Sequence, residues 1–104
     1  MSQVGIIDYG MGNLTSVKNA FVALGQDVRV IDRAADLADV SHVVLPGVGA
    51  FADGMRKLDA GGWSAALERQ VREQGKPFLG ICLGMHLLAT RGTEHGVHAG
   101  LGWV

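Results

Sequence analysis

Five consecutive residues near the end of the chain combine a thiol with two glycines. Gly80, Ile81, Cys82, Leu83 and Gly84 form the pattern G-x-C-x-G, the thiol counterpart of the G-x-S-x-G turn that exposes a nucleophile between a strand and a helix. An apolar run precedes the pattern and a helical pattern follows it, and glycine on both flanks avoids collisions in so cramped a turn. The pattern predicts that Cys82 is a nucleophile displayed at the edge of a sheet.

The predicted position of Cys82 at a helix N-terminus favours its thiolate. The positive end of the helix dipole stabilises the anion, and such sites lower the pKa of a thiol from about 8.5 into a range of roughly 3.5 to 7.5. The backbone N–H of Leu83 would point toward an oxyanion formed on attack. The alternative is that Cys82, the single cysteine, is a small core residue, as free cysteines usually are. A single cysteine also excludes an internal disulfide framework and a Cys-rich zinc site.

A thiol nucleophile needs a base that a third group holds in place, and four histidines are available. His86 lies four residues after Cys82, but a helical residue at that spacing points back along its own face rather than over the thiol. His42 lies at the entry to a strand, where we expect it to be packed or solvated. His95 and His98 lie in a polar loop, and their spacing alone is weak support for a metal site. We therefore expect no bound metal, and none of these histidines is a convincing base.

Two other glycine pairs each have two interpretations. Gly10 and Gly12 follow the first apolar run, with Asp32 twenty residues after Gly12, which imitates a dinucleotide fingerprint. Thr15 replaces the third glycine of that fingerprint and prevents close packing of helix on strand, so nucleotide binding is the weaker alternative.

The second pair, Gly47 and Gly49, follows the third apolar run. It is either a turn that ends a strand or a mobile segment beside Cys82, since the carboxyl ends of parallel strands meet at one edge. In the second case its N–H groups could complete an oxyanion hole.

The elements that must position these residues alternate along the chain. Strands are predicted at 4–8, 28–31, 42–45 and 78–81. Helical segments are predicted with an apolar stripe from Leu14 to Leu24, at 34–39, at 51–58, through Trp63, Leu67 and Val71, and at 84–90. Apolar strands separated by helices indicate a parallel sheet covered on both faces, with functional loops at the carboxyl ends of the strands. The predicted fold class is therefore α/β.

Composition limits the function further. The chain has 104 residues, with 9 Lys and Arg against 10 Asp and Glu, and 48% of its residues are apolar. One near-neutral domain fits this length, and a polybasic nucleic-acid surface is disfavoured. No apolar run is long enough to span a membrane, and no leader pattern begins the chain. We expect a cytoplasmic protein that binds neither nucleic acid nor membrane.

Three segments together resemble one family. They are DYGMGNLTSV at 8–17, LPGVGAF at 45–51 and GICLGMHLLA at 80–89, and they are similar to the class I glutamine amidotransferases. Within that family the match resembles the glutaminase subunit of imidazole glycerol phosphate synthase. The resemblance implies a flavodoxin-like, three-layer parallel sheet. It covers the N-terminal half of the family's domain (1–104), truncated after the helix that follows Cys82. The closing GLGWV resembles the entry to a further strand, or else is a frayed tail.

The resemblance also implies roles for individual residues. Cys82 would form a glutamyl thioester and release ammonia from glutamine. The N–H of Leu83 is implied as one oxyanion donor and that of Val48, or of a neighbouring glycine, as the second, on a strand that reorients when the partner carries its own substrate. Gly47 and Gly49 would line the glutamine site beside it.

The same resemblance implies roles for Asn13 and His86, and the sequence differs from the family's pattern in two respects. Asn13 would face the partner, a cyclase subunit with a TIM-barrel fold, and no cofactor is implied. The family's late histidine and glutamate have no counterpart in these 104 residues, so we expect the chain alone to show negligible glutaminase turnover. His86 stands beside the glutamine site where the family usually has glutamine, and imidazole does not offer the same donor and acceptor pair.

The sequence leaves three hypotheses for the function of the chain. The first is that it forms part of a glutaminase that delivers ammonia to a cyclase. The second is a non-catalytic fragment that keeps a partner-binding face, and the third is a nucleotide-binding module that uses Gly10 and Gly12.

Overall fold

Four short parallel strands form the sheet on which the rest of the chain packs. In the computed structural model they are β1 (Val4–Ile7), β2 (Val28–Ile31), β3 (His42–Leu45) and β4 (Phe78–Gly80). Their order across the sheet is β2-β1-β3-β4, and every neighbouring pair is parallel. The structure describes residues 3–10, 14–47, 50–81, 84, 87, 91–92, 98–99 and 101. The predicted α/β parallel sheet is confirmed, with strand boundaries within one residue of those expected.

Four of the helical segments also lie where the sequence predicts them, whereas most of the fifth, predicted at 84–90, lies outside the described residues. They are α1 (Leu14–Ala23), a 3₁₀ segment (Ala34–Asp39), α2 (Phe51–Ala60) and α3 (Trp63–Leu67), which continues as a π-helical segment (Glu68–Glu73). The sequence predicts one helix through Trp63, Leu67 and Val71, and the π register over its second half was not anticipated. In that half the Gln74 N–H donates to the carbonyl of Arg69, five residues earlier, at 3.0 Å.

Glycines end two of these helices because they adopt a left-handed backbone. Gly25 has φ of 78° after α1, and Gly75 has φ of 77° after the π-helical segment. Both conformations cost a residue with a Cβ about 1 kcal/mol or more. Glycine at such a position is a common signal for the end of a helix.

One face of the sheet carries the larger core. The 3₁₀ segment, α2 and α3 cover this face, and the core includes the fully buried side chains of Leu37, Leu45, Leu58 and Leu67. Arg29 on β2 points to the same side and pairs with Asp36 at 3.5 Å and with Asp39 at 3.8 Å on the 3₁₀ segment. Packing on this face therefore links β2 to the 3₁₀ segment and β3 to α2, the segments that follow them.

The opposite face is only partly covered. Residues 14–23 of α1 are all described, and none of them is buried; Leu14, Val17 and Phe21 pack half-exposed against Val4, Ile6 and Val44. A groove of about 290 Å³ lies between α1 and strands β3 and β4. Phe21 and Leu24 line it on one side and Val44 and Leu79 on the other, with Leu79 51% exposed.

Two expectations for the ends of elements are wrong. Leu24 does not extend the apolar stripe of α1 onto the sheet, since it lies beyond the helix and is 74% exposed. His98, expected in a loop, lies in a short strand, β6 (His98–Ala99), which pairs antiparallel with β5 (Arg91–Gly92). Strands of two residues carry too little pattern to be recognised in a sequence. Glu68 and Arg72, four residues apart in the π-helical segment, form an ion pair at 3.4 Å.

Within the part of the chain that the structure describes, every helix is too short or too polar to cross a membrane.

The contrast between the two faces can be tested with two leucines. Replacing the fully buried Leu58 with alanine removes core contacts and leaves a cavity, so we expect a loss of about 2–5 kcal/mol in the free energy of unfolding. Leu24→Ala, at an exposed position, should change it by less than about 0.5 kcal/mol. Urea unfolding followed by circular dichroism measures both values. Equal losses would contradict the assignment of the core to the α2 face.

Candidate active site

The carboxyl ends of the four strands form one continuous edge. The Asp8 N–H, just after β1, donates to the carbonyl of Ile31 at the end of β2 at 2.8 Å. The Ile81 N–H, just after β4, donates to the carbonyl of Leu45 at the end of β3 at 2.9 Å. Because backbone hydrogen bonds continue past the strands on both sides, the loops that follow them start from fixed positions.

The chain passes from strand to helix between Gly80 and Gly84. Gly80 is the last residue of β4 and Gly84 is helical. The Gly84 N–H donates to the Ile81 carbonyl at 3.0 Å, a spacing of three residues that is typical of a tight turn or the first turn of a helix. The strand-to-helix context that the G-x-C-x-G pattern requires is therefore present on both sides of it.

Gly84 sits directly against the main chain of β3. A Cβ placed at Gly84 would lie 1.8 Å from the carbonyl oxygen of Leu45 and 2.7 Å from its carbonyl carbon. No side chain fits at that distance, and both partners are backbone, so neither can move aside cheaply. This contact explains the second glycine of the pattern. The Leu45 carbonyl thus accepts a hydrogen bond from Ile81 and is also in contact with Gly84.

Tyr9 joins the β1 loop to the β3 loop. Its hydroxyl donates to the carbonyl of Pro46 at 2.7 Å, and its side chain is only 7% exposed. Burial raises the pKa of the Tyr9 hydroxyl above its ordinary value of about 10, because the phenolate would lose its hydration. The hydroxyl is therefore protonated and able to donate at neutral pH.

The β1 loop is held at a second point. Gly10 has φ of 90°, and its carbonyl accepts a hydrogen bond from the Lys57 Nζ on α2 at 3.1 Å. The Asp8 carboxylate accepts from the Gly10 N–H at 3.2 Å. The first glycine of the dinucleotide-like loop is therefore packed against a lysine side chain of the same chain.

Most residues predicted to do chemistry lie outside the described residues. Gly47 is described: it is buried and lies two residues beyond the end of β3, at the expected edge. The predicted site residues outside the described ones are Cys82, Leu83, Val48, Gly49, His86 and Asn13. Residues next to them in the sequence are described, and the contacts above bring Ile81 and Gly84 together with Leu45 and Pro46. The segments that carry the predicted thiol and the predicted oxyanion donors therefore start side by side.

His42 lies at the other end of the sheet. It is the first residue of β3, and its Nδ1 is 2.8 Å from the hydroxyl of Ser41. The length of the strand separates it from Leu45 and the edge that carries the turn. His42 is therefore not positioned to act on Cys82, in agreement with the sequence-based expectation. Among the described residues, no group of three His, Cys, Asp or Glu side chains could hold a metal ion.

Sequence reasoning missed two residues at this edge. The sequence indicates only that Tyr9 belongs to a glycine loop and that Lys57 belongs to a predicted helix. Tyr9 carries a usable signal, since a tyrosine directly after a buried strand must find a partner for its hydroxyl if it is buried. The identity of that partner, 37 residues away, is not contained in the local sequence.

Comparisons with known proteins agree with the geometry. Residues 5–100 match the family model described as glutamine amidotransferase class-I. A solved glutamine amidotransferase crystal structure superposes with a TM-score of 0.78 at 22% identity, covering 95% of this chain and 51% of that one. At such low identity this likeness supports the fold alone.

Curated relatives are more similar in sequence. The imidazole glycerol phosphate synthase subunit HisH of Desulfitobacterium hafniense (strain DSM 10664 / DCB-2) is 52% identical over 99 residues, covering 95% of this chain and 46% of the relative. HisH of Zymomonas mobilis is 51% identical over 107 residues, covering 99% and 50%. HisH of Syntrophotalea carbinolica is 54% identical over 96 residues, covering 92% and 46%. The chain spans about half the length of the curated relatives it matches.

The contact of Gly84 with Leu45 predicts an unusually costly alanine substitution. Gly84→Ala forces a methyl group into a carbonyl, so we expect a loss of about 3 kcal/mol or more in the free energy of unfolding. Gly75→Ala is the matched control, since Gly75 has a left-handed backbone with no neighbour within 4 Å and should lose only about 1 kcal/mol. Chemical denaturation compares the two. A cost at Gly84 no greater than at Gly75 would contradict the close approach.

The buried hydroxyl of Tyr9, the single tyrosine, predicts a pH dependence of stability. In the unfolded chain the phenol ionises near pH 10, whereas the raised pKa keeps it protonated in the folded chain. The unfolded state therefore binds fewer protons above about pH 10, and the free energy of unfolding falls as pH rises through that range. Tyr9→Phe should lack this part of the fall. The tyrosinate absorbance band, measured against pH in folded and in urea-unfolded protein, checks the titration directly; a native titration near pH 10 would refute it.

Proposed function

Because this chain belongs to the class I glutamine amidotransferase family, we propose that it carries the nucleophile and the oxyanion-binding segments of a glutaminase. It corresponds to the N-terminal half of that domain (1–104). The observation that carries the proposal is the change from strand at Gly80 to helix at Gly84, with Gly84 lying against the end of β3.

The proposed reaction transfers the γ-glutamyl group of glutamine to Cys82. The thiolate attacks the side-chain amide carbon, forming a C–S bond and a tetrahedral oxyanion. Collapse of the oxyanion breaks the C–N bond, and the leaving nitrogen takes up a proton and departs as ammonia. Water then attacks the thioester and gives glutamate and the free thiol. Glutamine is the substrate because it is the amide that the family uses, and no cofactor takes part.

The oxyanion is proposed to bind between two backbone N–H groups. Leu83 supplies one from the start of the helix, and Val48 supplies the other from the segment after Pro46, with Gly47 and Gly49 beside the substrate. The hydrogen bond of Ile81 to the Leu45 carbonyl supports this pairing, since it ties the starts of both segments together. Fixed donors of this kind contribute roughly 10² to 10³ in rate each.

We propose that turnover of glutamine needs groups outside these 104 residues. The late histidine and glutamate of the family are absent from the 104 residues, so proton transfer to the leaving ammonia needs groups from elsewhere. Similarity to HisH proteins supports imidazole glycerol phosphate synthase as the assembly. There the chain would face a TIM-barrel cyclase through Asn13, in a cytoplasmic heterodimer that combines a hydrolase and a lyase reaction in histidine biosynthesis. His86 would lie beside the bound glutamine.

An activated ester tests the nucleophile without the missing groups. L-Glutamic acid γ-(p-nitrophenyl) ester has a leaving group that needs no proton, so the chain should release one equivalent of p-nitrophenolate and gain one glutamyl group. We expect mass spectrometry to locate that group on Cys82. Cys82→Ser should abolish the burst, and the urea-unfolded chain should react roughly tenfold more slowly, since an unperturbed thiol is mostly protonated at pH 7.

The other hypotheses have distinct outcomes. A native chain that reacts no faster than the unfolded one would favour a non-catalytic fragment that keeps only a partner-binding face. Saturable binding of a dinucleotide would favour the nucleotide-binding alternative at Gly10 and Gly12. Full-length HisH from Desulfitobacterium hafniense is the positive control for the ester. Steady release of ammonia from glutamine by the purified chain would contradict the requirement for further groups.

A further inference from the structure

The hydroxyl of Tyr9 holds the peptide group that precedes the glycine pair after β3. It donates to the carbonyl of Pro46 at 2.7 Å, and the side chain packs in the same core as Leu45, Phe51 and Leu87. Packing of the ring fixes where the hydroxyl lies, and a buried hydroxyl without a partner would be costly. The bond is therefore a fixed point in the β3 loop rather than a surface contact.

Two successive carbonyls of this loop are held by different elements. The Leu45 carbonyl accepts from the Ile81 N–H at 2.9 Å, and the Pro46 carbonyl accepts from Tyr9. Proline also restricts its own φ to about −65°. Because a peptide group is planar, holding the Pro46 carbonyl also sets the direction of the Gly47 N–H. The backbone is thus constrained up to the nitrogen of Gly47.

Rotation becomes available only after that nitrogen. Gly47 has no Cβ, so its own dihedral angles are less restricted than those of other residues. The next peptide group carries the N–H of Val48, the proposed oxyanion donor. Gly47 therefore separates a held peptide from the peptide whose orientation decides whether an oxyanion is bound.

We propose that Tyr9 is a positioning residue for the oxyanion hole, which fixes the Pro46–Gly47 peptide so that the Val48 N–H is aimed from a constant origin. This inference rests on the proposed function, and it adds a residue that touches neither the glutamine nor the thiol. Its effect is carried by a single hydroxyl, so it can be removed while the aromatic ring is kept.

Tyr9→Phe tests the proposal with two electrophiles that differ in their need for an oxyanion. Acylation of Cys82 by the γ-(p-nitrophenyl) ester passes through a tetrahedral oxyanion, whereas alkylation by iodoacetamide is a direct displacement at carbon. We expect the maximal acylation rate to fall about tenfold, less than the 10² to 10³ of losing a donor outright. The ester concentration at half-maximal rate and the alkylation rate should stay within about twofold of wild type.

A carbonyl signal reports the hydrogen bond itself. With Pro46 labelled at its carbonyl carbon, we expect the ¹³C resonance to shift in Tyr9→Phe, because the carbonyl loses its donor. Leu58→Ala is the control, since it weakens the same core and leaves the hydroxyl of Tyr9 in place. It should leave the Pro46 resonance and the ratio of acylation to alkylation unchanged.

The outcomes separate this proposal from the proposed function. An unshifted Pro46 resonance in Tyr9→Phe would overturn the positioning role, as would a shifted resonance with an unchanged acylation rate. Equal loss of acylation and alkylation, or the same pattern in Leu58→Ala, would reduce Tyr9 to a structural residue and also overturn it. If wild-type protein is not acylated, the proposed function fails and the positioning of an oxyanion donor fails with it. The Pro46 resonance then shows whether the hydrogen bond exists regardless.

Discussion

The carbonyl group of Leu45 is the point on which the geometry of the edge depends. It accepts a hydrogen bond from Ile81 before the turn and is in contact with Gly84 after it. Both contacts are between main chains, so the distance between the 81–84 segment and the end of β3 is set by backbone dimensions and not by the size of core side chains. Substitutions elsewhere in the core can change stability without changing that distance.

The two faces of the sheet contribute unequally to holding this edge. The α2 face carries the buried leucines, and Tyr9 and Leu87 belong to the same core. The α1 face has no buried helical residue in 14–23 and keeps an apolar groove beside Leu79. The α2 face, which carries the fully buried side chains, therefore provides most of the support for the site.

Much of this arrangement could be predicted from local sequence. Strands such as β3 are apolar runs ended by proline or glycine, and the two glycines of the G-x-C-x-G pattern lie where it requires them, Gly80 in a strand and Gly84 in a helix. The exposure of Leu24 could not be predicted, since periodicity shows which residues could face a core but not whether anything covers them. The hydrogen-bond acceptor of Tyr9 could not be predicted either, because hydrogen bonds between distant loops depend on the assembled sheet. The π register after Leu67 has no sequence signal that we recognise.

The strand order has a consequence for how the chain can be made. β1 is synthesised first, yet it lies between β2 and β3, and its register joins Val4 to Val28 and to His42. Every pairing in the sheet is therefore non-local, and parallel pairings of this kind form slowly. During translation β1 leaves the ribosome as an apolar segment with no strand beside it until β2 has emerged, and its other edge stays unpaired until β3 follows.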